Sequence, residues 1–263
     1  DEEIGCKGAP HMIKRIKKEL PKPMAVIVGE PTEMRPVNGH KGICNVHTHI
    51  RGHAAHSSQT QLGVSAIMIA GRLISHIEEL SQELSAKADP ESGFEPNHST
   101  LTVNLIEGGT ALNILAQDCT FKWDLRMLPG EDPLAMVSRF NAFVKSDILP
   151  QIREISPQCN ITSEVDVLVP SFAPQEGGAA EQLIQRLTGA NRSQLVSFGT
   201  EAGQFQNEGF SVIVCGPGAI AQAHQPNEFI ALDQLAQCEA MLKKLPHELK
   251  YLHPNQRRPA SQR

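Results

Sequence analysis

Apolar and polar positions follow two different periods along this chain. Residues 41–51 alternate strictly, with Val46, Thr48 and Ile50 on one face and polar residues on the other, which predicts a β-strand with one solvent-facing side. Several other segments have apolar positions that recur with the helical period of about 3.6 residues, and these segments are predicted helices. The predicted helices are 8–20, 64–84, 133–143, 177–188, 201–208 and 231–246, and the other predicted strands are 24–28, 100–106, 120–126, 160–166, 194–198 and 211–215.

The order of these elements predicts two domains. From 41 to 164 the order is strand, helix, strand, strand, helix, strand, which is the split βαβ pattern of a ferredoxin-like domain. The flanking segments alternate between helix and strand as in a parallel α/β sheet. We therefore predict a discontinuous α/β domain, 1–40 and 165–250, with an inserted α+β domain at 41–164 and a tail at 251–263.

Composition and charge exclude several classes of function. The 263 residues are 40% hydrophobic, with a net charge of −5 and no basic stripe, so a nucleic-acid partner is not expected. No apolar run approaches the ~18 residues that a membrane span needs, and no membrane partner is expected. The six cysteines contain no C-x-x-C pair, which favours reduced thiols and a cytoplasmic location.

Carboxylates open the sequence, as Asp1-Glu2-Glu3. Adjacent carboxylates repel unless a cation or a proton relieves the repulsion. A divalent metal could be bound by one carboxylate while its neighbour accepts protons from water. The alternative is a solvated acidic start to helix 8–20, favoured by the helix dipole.

Two further candidate ligands each follow a predicted strand. Glu30 comes directly after strand 24–28, at the strand end where open α/β sheets bind ligands. His224 follows the turn Gly216-Pro217-Gly218, and histidine is a common zinc ligand. Taken alone, each motif favours an ordinary polar loop residue over a ligand.

Three loops could contact a substrate. In RGHAAHSS, small residues surround His56, which suggests a closely approached loop, and Ser57 or Ser58 could at the same time cap helix 64–84. Asn113 and Arg126 could hold a carbonyl or a carboxylate, or could belong to a hairpin turn with a surface arginine. The run SFGTEAG reads as a strand, a turn and a helix N-terminus able to bind an anion, or as an ordinary cap with Thr200 as the N-cap.

Together these motifs resemble the zinc-dependent metallopeptidase and deacylase family, which includes deacetylases, desuccinylases, carboxypeptidases and aminoacylases. The resemblance covers about 1–246, and the runs DEEIGCKGA, GEPTE, GHAAHSS and HQPNEF look closest to acetylornithine deacetylases. It implies a partial zinc-exopeptidase-like α/β catalytic domain with an inserted ferredoxin-like lid that also forms a homodimer. The implied reaction is hydrolysis of an N-acyl amino acid, most closely N2-acetyl-L-ornithine to ornithine and acetate, in arginine biosynthesis.

The resemblance also implies a role for each residue. Glu2 matches the general base, and His56 a lid histidine that stabilises the oxyanion in the partner subunit. Two divalent ions, zinc or cobalt, would be held by metal ligands matching Glu3, Glu30 and His224. The residues that match substrate-facing positions are Asn113, Arg126, Thr200, Gly216 and Gly218.

One departure from the family pattern affects the expected activity. The family supplies two more ligands, a histidine in His-x-Asp and a bridging aspartate, upstream of the acidic pair with which this sequence begins. We therefore expect a fragment that binds metal weakly and does not turn over substrate by itself. The open alternatives are a desuccinylase or a metallo-dipeptidase or carboxypeptidase of the same family, and a non-catalytic dimerising or regulatory module.

Overall fold

The structure, a computed structural model, describes residues 4–223 and 225–252, with the backbone alone at 250–252. These residues form two compact units. The first contains 40–171 together with 4–7 and 196–199, and the second contains 8–39, 172–195 and the described residues from 200 onward. The predicted inserted domain, 41–164, falls within the first unit, whereas most of the predicted tail lies outside the described residues.

Most of the predicted elements are present, with bounds shifted by a few residues. The helices of the described residues are α1 (Ala9–Glu19), α2 (Ala66–Ser85), α3 (Pro133–Phe143), α4 (Leu149–Ile155), α5 (Ala179–Thr188), α6 (Ala202–Asn207) and α7 (Leu232–Leu252). The strands are β1 (Val26–Val28), β2 (Val37–His40), β3 (Gly42–Arg51), β4 (Thr100–Gly108), β5 (Asp118–Met127), β6 (Asn160–Val169), β7 (Gln194–Val196) and β8 (Val212–Val214). A short π-helix, Val144–Ile148, joins α3 to α4.

The sheet of the first unit confirms the split βαβ prediction. Its order is β4-β5-β3-β6, and every neighbouring pair is antiparallel. In the order of the inserted domain, the first strand therefore lies between the fourth and the third, as a ferredoxin-like sheet requires. Helices α2 and α3 pack on one face around Trp123 and Phe140, whose ring centroids are 5.0 Å apart.

The alternating pattern of β3 has the predicted orientation. Val46, Thr48 and Ile50 are buried, and the residues between them are partly exposed. Thr48 can occupy the core because its hydroxyl accepts the indole N–H of Trp123 at 3.0 Å and shares a hydrogen bond with Ser163 at 2.9 Å. Buried polar groups persist in cores when they are paired in this way.

Helix α2 does not begin where the candidate caps Ser57 and Ser58 would place it. Its N-cap is Ser65, whose hydroxyl accepts the amide of Met68 at 3.4 Å. A bridge between His53 and Val64 holds the chain extended just before the helix, so a helix cannot start until that bridge has ended. The proposed capping role of Ser57 or Ser58 is therefore wrong.

The sheet of the second unit is mixed rather than purely parallel. Its order is β1-β8-β2-β7, with β1 and β8 parallel and β2 antiparallel to β8. The pattern missed β2 because its sequence, VNGH, is short and half polar. Helices α5 and α7 contribute Leu183, Ile184 and Met241 to the core against Ile213 of β8. No helix within 4–223 or 225–252 has the length and apolar character that crossing a bilayer demands.

Candidate functional site

The loops that follow β1 and β8 are hydrogen-bonded to each other along their length. Strand pairing ends with the amide of Cys215 donating to the carbonyl of Val28 at 2.9 Å. Beyond it, the Gly216 carbonyl accepts the amide of Met34 at 2.9 Å, and the Gly216 amide donates to Thr32 Oγ1 at 3.1 Å. Glu30 lies between these contacts and is half-buried. The carboxyl ends of two parallel strands thus bring Glu30 beside the Gly216 turn.

The second glycine of this turn gives it its shape. Gly218 has a φ of +91°, a conformation that favours glycine. Its carbonyl accepts the amide of Glu33 at 2.7 Å, and its own amide donates to the Gln234 side chain at 3.3 Å. The Gly216–Gly218 turn is therefore hydrogen-bonded both to the loop that contains Glu30 and to helix α7.

Three of the predicted site residues lie outside the described residues: Glu2, Glu3 and His224. Within 4–223 and 225–252, no group of three or more His, Cys, Asp or Glu side chains is arranged to hold a metal ion. Among the predicted ligands, the structure therefore describes Glu30 alone.

A second cluster, in the first unit, brings His56 and Asn113 together. The amide of Ser57 donates to the Asn113 carbonyl at 3.0 Å, and His56 forms an isolated bridge with Ile114. Both side chains are exposed. The loop after β3 and the loop between β4 and β5 therefore hold the exposed side chains of His56 and Asn113 close together.

Local hydrogen bonds define which imidazole nitrogen of His56 can donate. The backbone amide of Ser58 lies 3.2 Å from His56 Nδ1, and the Ser58 hydroxyl lies 2.8 Å from the same atom. A backbone N–H can only donate, so Nδ1 is the acceptor and the proton of the neutral ring is on Nε2. The exposed ring therefore offers an N–H donor at Nε2.

Arg126 lies at the other end of the sheet from Asn113. It pairs with Ile43 and Thr100, whereas Asn113 lies in the loop before Asp118. The eight residue steps from Asp118 to Arg126 span about 27 Å of extended strand. One copy of the unit therefore does not bring Asn113 and Arg126 together.

Thr200 is fully buried, and its hydroxyl accepts the amide of Ala202 at 3.0 Å at the start of α6. The side chain thus supports the local turn at the start of α6.

The cysteines near these loops are not set up as nucleophiles. Burial raises the pKa of Cys215, in the β8 turn, to about 11, and burial raises the pKa of Cys44, on β3, to about 11. The reactive species of cysteine is the thiolate, which both sites disfavour.

The sequence analysis missed the partner of Arg126. Arg126 Nε donates to Asp124 Oδ2 at 2.8 Å. The signal was available, because residues two apart on a strand share a face, so a carboxylate at 124 could have been expected to contact a guanidinium at 126.

Comparison with known proteins gives these sites a context. Residues 38–151 match the model of a peptidase dimerisation domain. The chain is 33% identical over 251 residues to the acetylornithine deacetylase of Myxococcus xanthus, an alignment that covers 93% of this chain. The chain spans 62% of the length of that relative. The resemblance to acetylornithine deacetylases inferred from the motifs is thereby confirmed.

Solved structures confirm the predicted fold class. Aminopeptidase PepT of Bacillus cereus superposes with a TM-score of 0.68 at 22% identity, covering 94% of this chain and 62% of that one. A Bacillus subtilis protein described as a dinuclear metal-binding peptidase of the M20 family superposes with a TM-score of 0.60 at 14% identity, with coverage of 94% and 62%. The α/β fold with its inserted domain is therefore shared with peptidases.

Proposed function

We propose that this chain belongs to a metal-dependent amidohydrolase of the M20 family, which hydrolyses an N-acyl amino acid, with N2-acetyl-L-ornithine as the first candidate substrate. The observation that carries the proposal is that the loops after β1 and β8 are hydrogen-bonded to each other, so that Glu30 lies beside the Gly216–Gly218 turn. Residue 224 follows this turn in the sequence. The similarity to an acetylornithine deacetylase along 93% of the chain supports the choice of substrate.

The donor types of the proposed site suit divalent metals. Carboxylate oxygens and imidazole nitrogens are ligands for zinc and cobalt, and Glu3, Glu30 and His224 would supply them. Glu30 is half-buried at a strand end, where a carboxylate can bind a cation without losing all contact with solvent. Two such ions would polarise the scissile carbonyl and acidify the attacking water.

The remaining chemistry would come from side chains. Glu2 would accept a proton from the attacking water and deliver it to the leaving amine. His56 would donate its Nε2 hydrogen to the oxyanion that forms on the acyl carbon, in agreement with the tautomer that Ser58 imposes. Arg126 would bind the substrate carboxylate through its guanidinium.

A homodimer would allow these residues to work together. Asn113 and Arg126 are far apart in one copy, and the match to a dimerisation domain covers both. Strand β4 is an edge of the sheet and exposes Leu105 and Ile106, and an exposed edge strand can pair with a second copy. His56 and Asn113 would then act at the partner subunit's active site.

The proposal is tested on the protein encoded by the complete gene. Turnover of N2-acetyl-L-ornithine is compared with that of N-succinyl-diaminopimelate and of dipeptides, before and after chelation and after zinc or cobalt is restored. We expect the acetyl substrate to be preferred, chelation to abolish turnover, and metal to restore it. Turnover that survives chelation would refute the metal-dependent mechanism, and no turnover of any substrate would favour a non-catalytic module.

The role of Glu30 has a matched control three residues away. Glu30→Gln should lower the number of metal ions retained after dialysis, because a neutral amide is a poorer ligand than a carboxylate. Glu33→Gln removes the same charge from a half-exposed side chain that lies 4.0 Å from Arg35, and should leave the metal content unchanged. Equal metal content in the two variants would contradict the assignment of Glu30.

A further inference from the structure

Arg126 is held at one end of its guanidinium and open at the other. Its Nε donates to Asp124 Oδ2 at 2.8 Å, and the two side chains are 34% and 18% exposed. Neither terminal nitrogen has a hydrogen-bond partner among the residues that the structure describes. The Arg126 guanidinium thus has a fixed orientation, and its two terminal nitrogens are available to a ligand.

Asn45 lies directly opposite Asp124 in the β3–β5 ladder. Such cross-strand pairs bring side chains within contact. Asn45 Oδ1 and Asp124 Oδ1 are both buried and both lack a hydrogen-bond partner, and buried acceptors without a partner are unfavourable. Turning the Asn45 amide by 180° exchanges its oxygen and nitrogen and provides a donor for the carboxylate.

We propose that Asn45 and Asp124 are positioning residues for Arg126. In this arrangement the Asn45 amide donates to Asp124 Oδ1, Asp124 Oδ2 accepts from Arg126 Nε, and the terminal nitrogens of Arg126 receive the α-carboxylate of the substrate. The identity of that carboxylate rests on the proposed function, whereas the chain of three side chains does not.

A guanidinium fixed through Nε suits carboxylate recognition, because its outer edge keeps parallel donors for a two-point contact. A neighbouring pair on the same sheet is built differently. Lys122 and Asp166 are 3.9 Å apart with side chains 55% and 41% exposed. That pair is loosely held, so it provides a control of equal charge.

The first experiment measures kcat and KM in the protein encoded by the complete gene. Asp124→Asn and Asn45→Leu keep the approximate shape of each side chain, and we expect each to raise KM by about tenfold or more with kcat nearly unchanged. Asp166→Asn should leave both constants unchanged. With a substrate whose α-carboxylate is replaced by a carboxamide, wild type and Asp124→Asn should have the same KM. An equal loss on both substrates would overturn the proposal.

The second experiment does not depend on activity. The ¹⁵N NMR signal of Arg126 Nε–H, assigned by its loss in Arg126→Lys, should exchange slowly with solvent in the wild-type chain and faster in Asp124→Asn and Asn45→Leu. Unchanged exchange in both variants would overturn the positioning chain. If no N-acyl amino acid is hydrolysed while exchange responds as expected, the proposed function fails and the positioning chain stands.

Discussion

Gly216 approaches the backbone of Glu30 so closely that a Cβ atom on Gly216 would lie 2.5 Å from the Glu30 carbonyl oxygen and 2.8 Å from its amide nitrogen. Both neighbours are backbone atoms, which cannot move aside as the end of a flexible side chain can. The position of Glu30 therefore depends on the absence of a side chain at residue 216.

Gly216→Ala is expected to displace the Glu30 loop. The forced shift should lower the free energy of unfolding by about 1–3 kcal/mol, and should also lower the metal content of the protein. Gly29→Ala is the matched control, since a Cβ there would meet nothing within 4 Å. Urea denaturation and metal analysis of the two variants check the prediction, which fails if they behave alike.

His56→Ala is expected to lower kcat by about a hundredfold or more, as the loss of an oxyanion donor does in other enzymes, without changing the metal content. Because Ser58 makes Nε2 the donor, His56→Gln, whose amide nitrogen reaches the Nε2 position, should retain more activity than His56→Asn.

Steady-state kinetics on these variants separate a donor from a structural residue. His49→Ala removes another exposed imidazole of the same unit, one paired with Asp118 at 3.0 Å, and should have little effect on kcat. If His56→Gln and His56→Asn are equally impaired, the assigned tautomer has no role in the reaction.

The sequence predicted the elements better than it predicted their contacts. The alternation in β3 and the order of the inserted domain follow from periods that a local pattern records, and both are present. The cap at Ser65 and the antiparallel strand β2 depend on which distant segments pair, and the pattern carries no information about that. For the same reason the motif containing Arg126 was visible, whereas the cross-strand pairing of Asn45 with Asp124 was not.

The cysteines should differ sharply in reactivity. Five are buried and Cys238 is partly exposed, so a thiol reagent at pH 8 should label Cys238 first and the others only as the protein opens. Burial raises the pKa of Cys44 and of Cys215 to about 11, which further suppresses their thiolates. Mass spectrometry of the labelled peptides checks this order, and early labelling of Cys44 would contradict it.

Lys41 is the buried cation of the first unit. It is fully buried, and Nζ donates to the carbonyls of Pro96 at 2.7 Å and His98 at 2.6 Å. Lys41→Met would leave both carbonyls without this donor, and should lower the free energy of unfolding at pH 7 by about 1–3 kcal/mol. Lys122→Met, at an exposed position, should change it by less than about 0.5 kcal/mol.

The cost of Lys41→Met should grow with pH. Burial lowers the pKa of Lys41, and the opposing effects of Glu131 and Glu95 are smaller. Between this lowered pKa and the unfolded value of about 10.4, the unfolded chain binds more protons than the folded one, so the stability of the wild type rises with pH relative to Lys41→Met. Denaturation of both proteins at pH 7 and at pH 10 measures the difference. A difference in unfolding free energy between the two proteins that stays constant or narrows at pH 10 would contradict the prediction. It would show either that Lys41 remains fully protonated throughout or that it is not buried in solution.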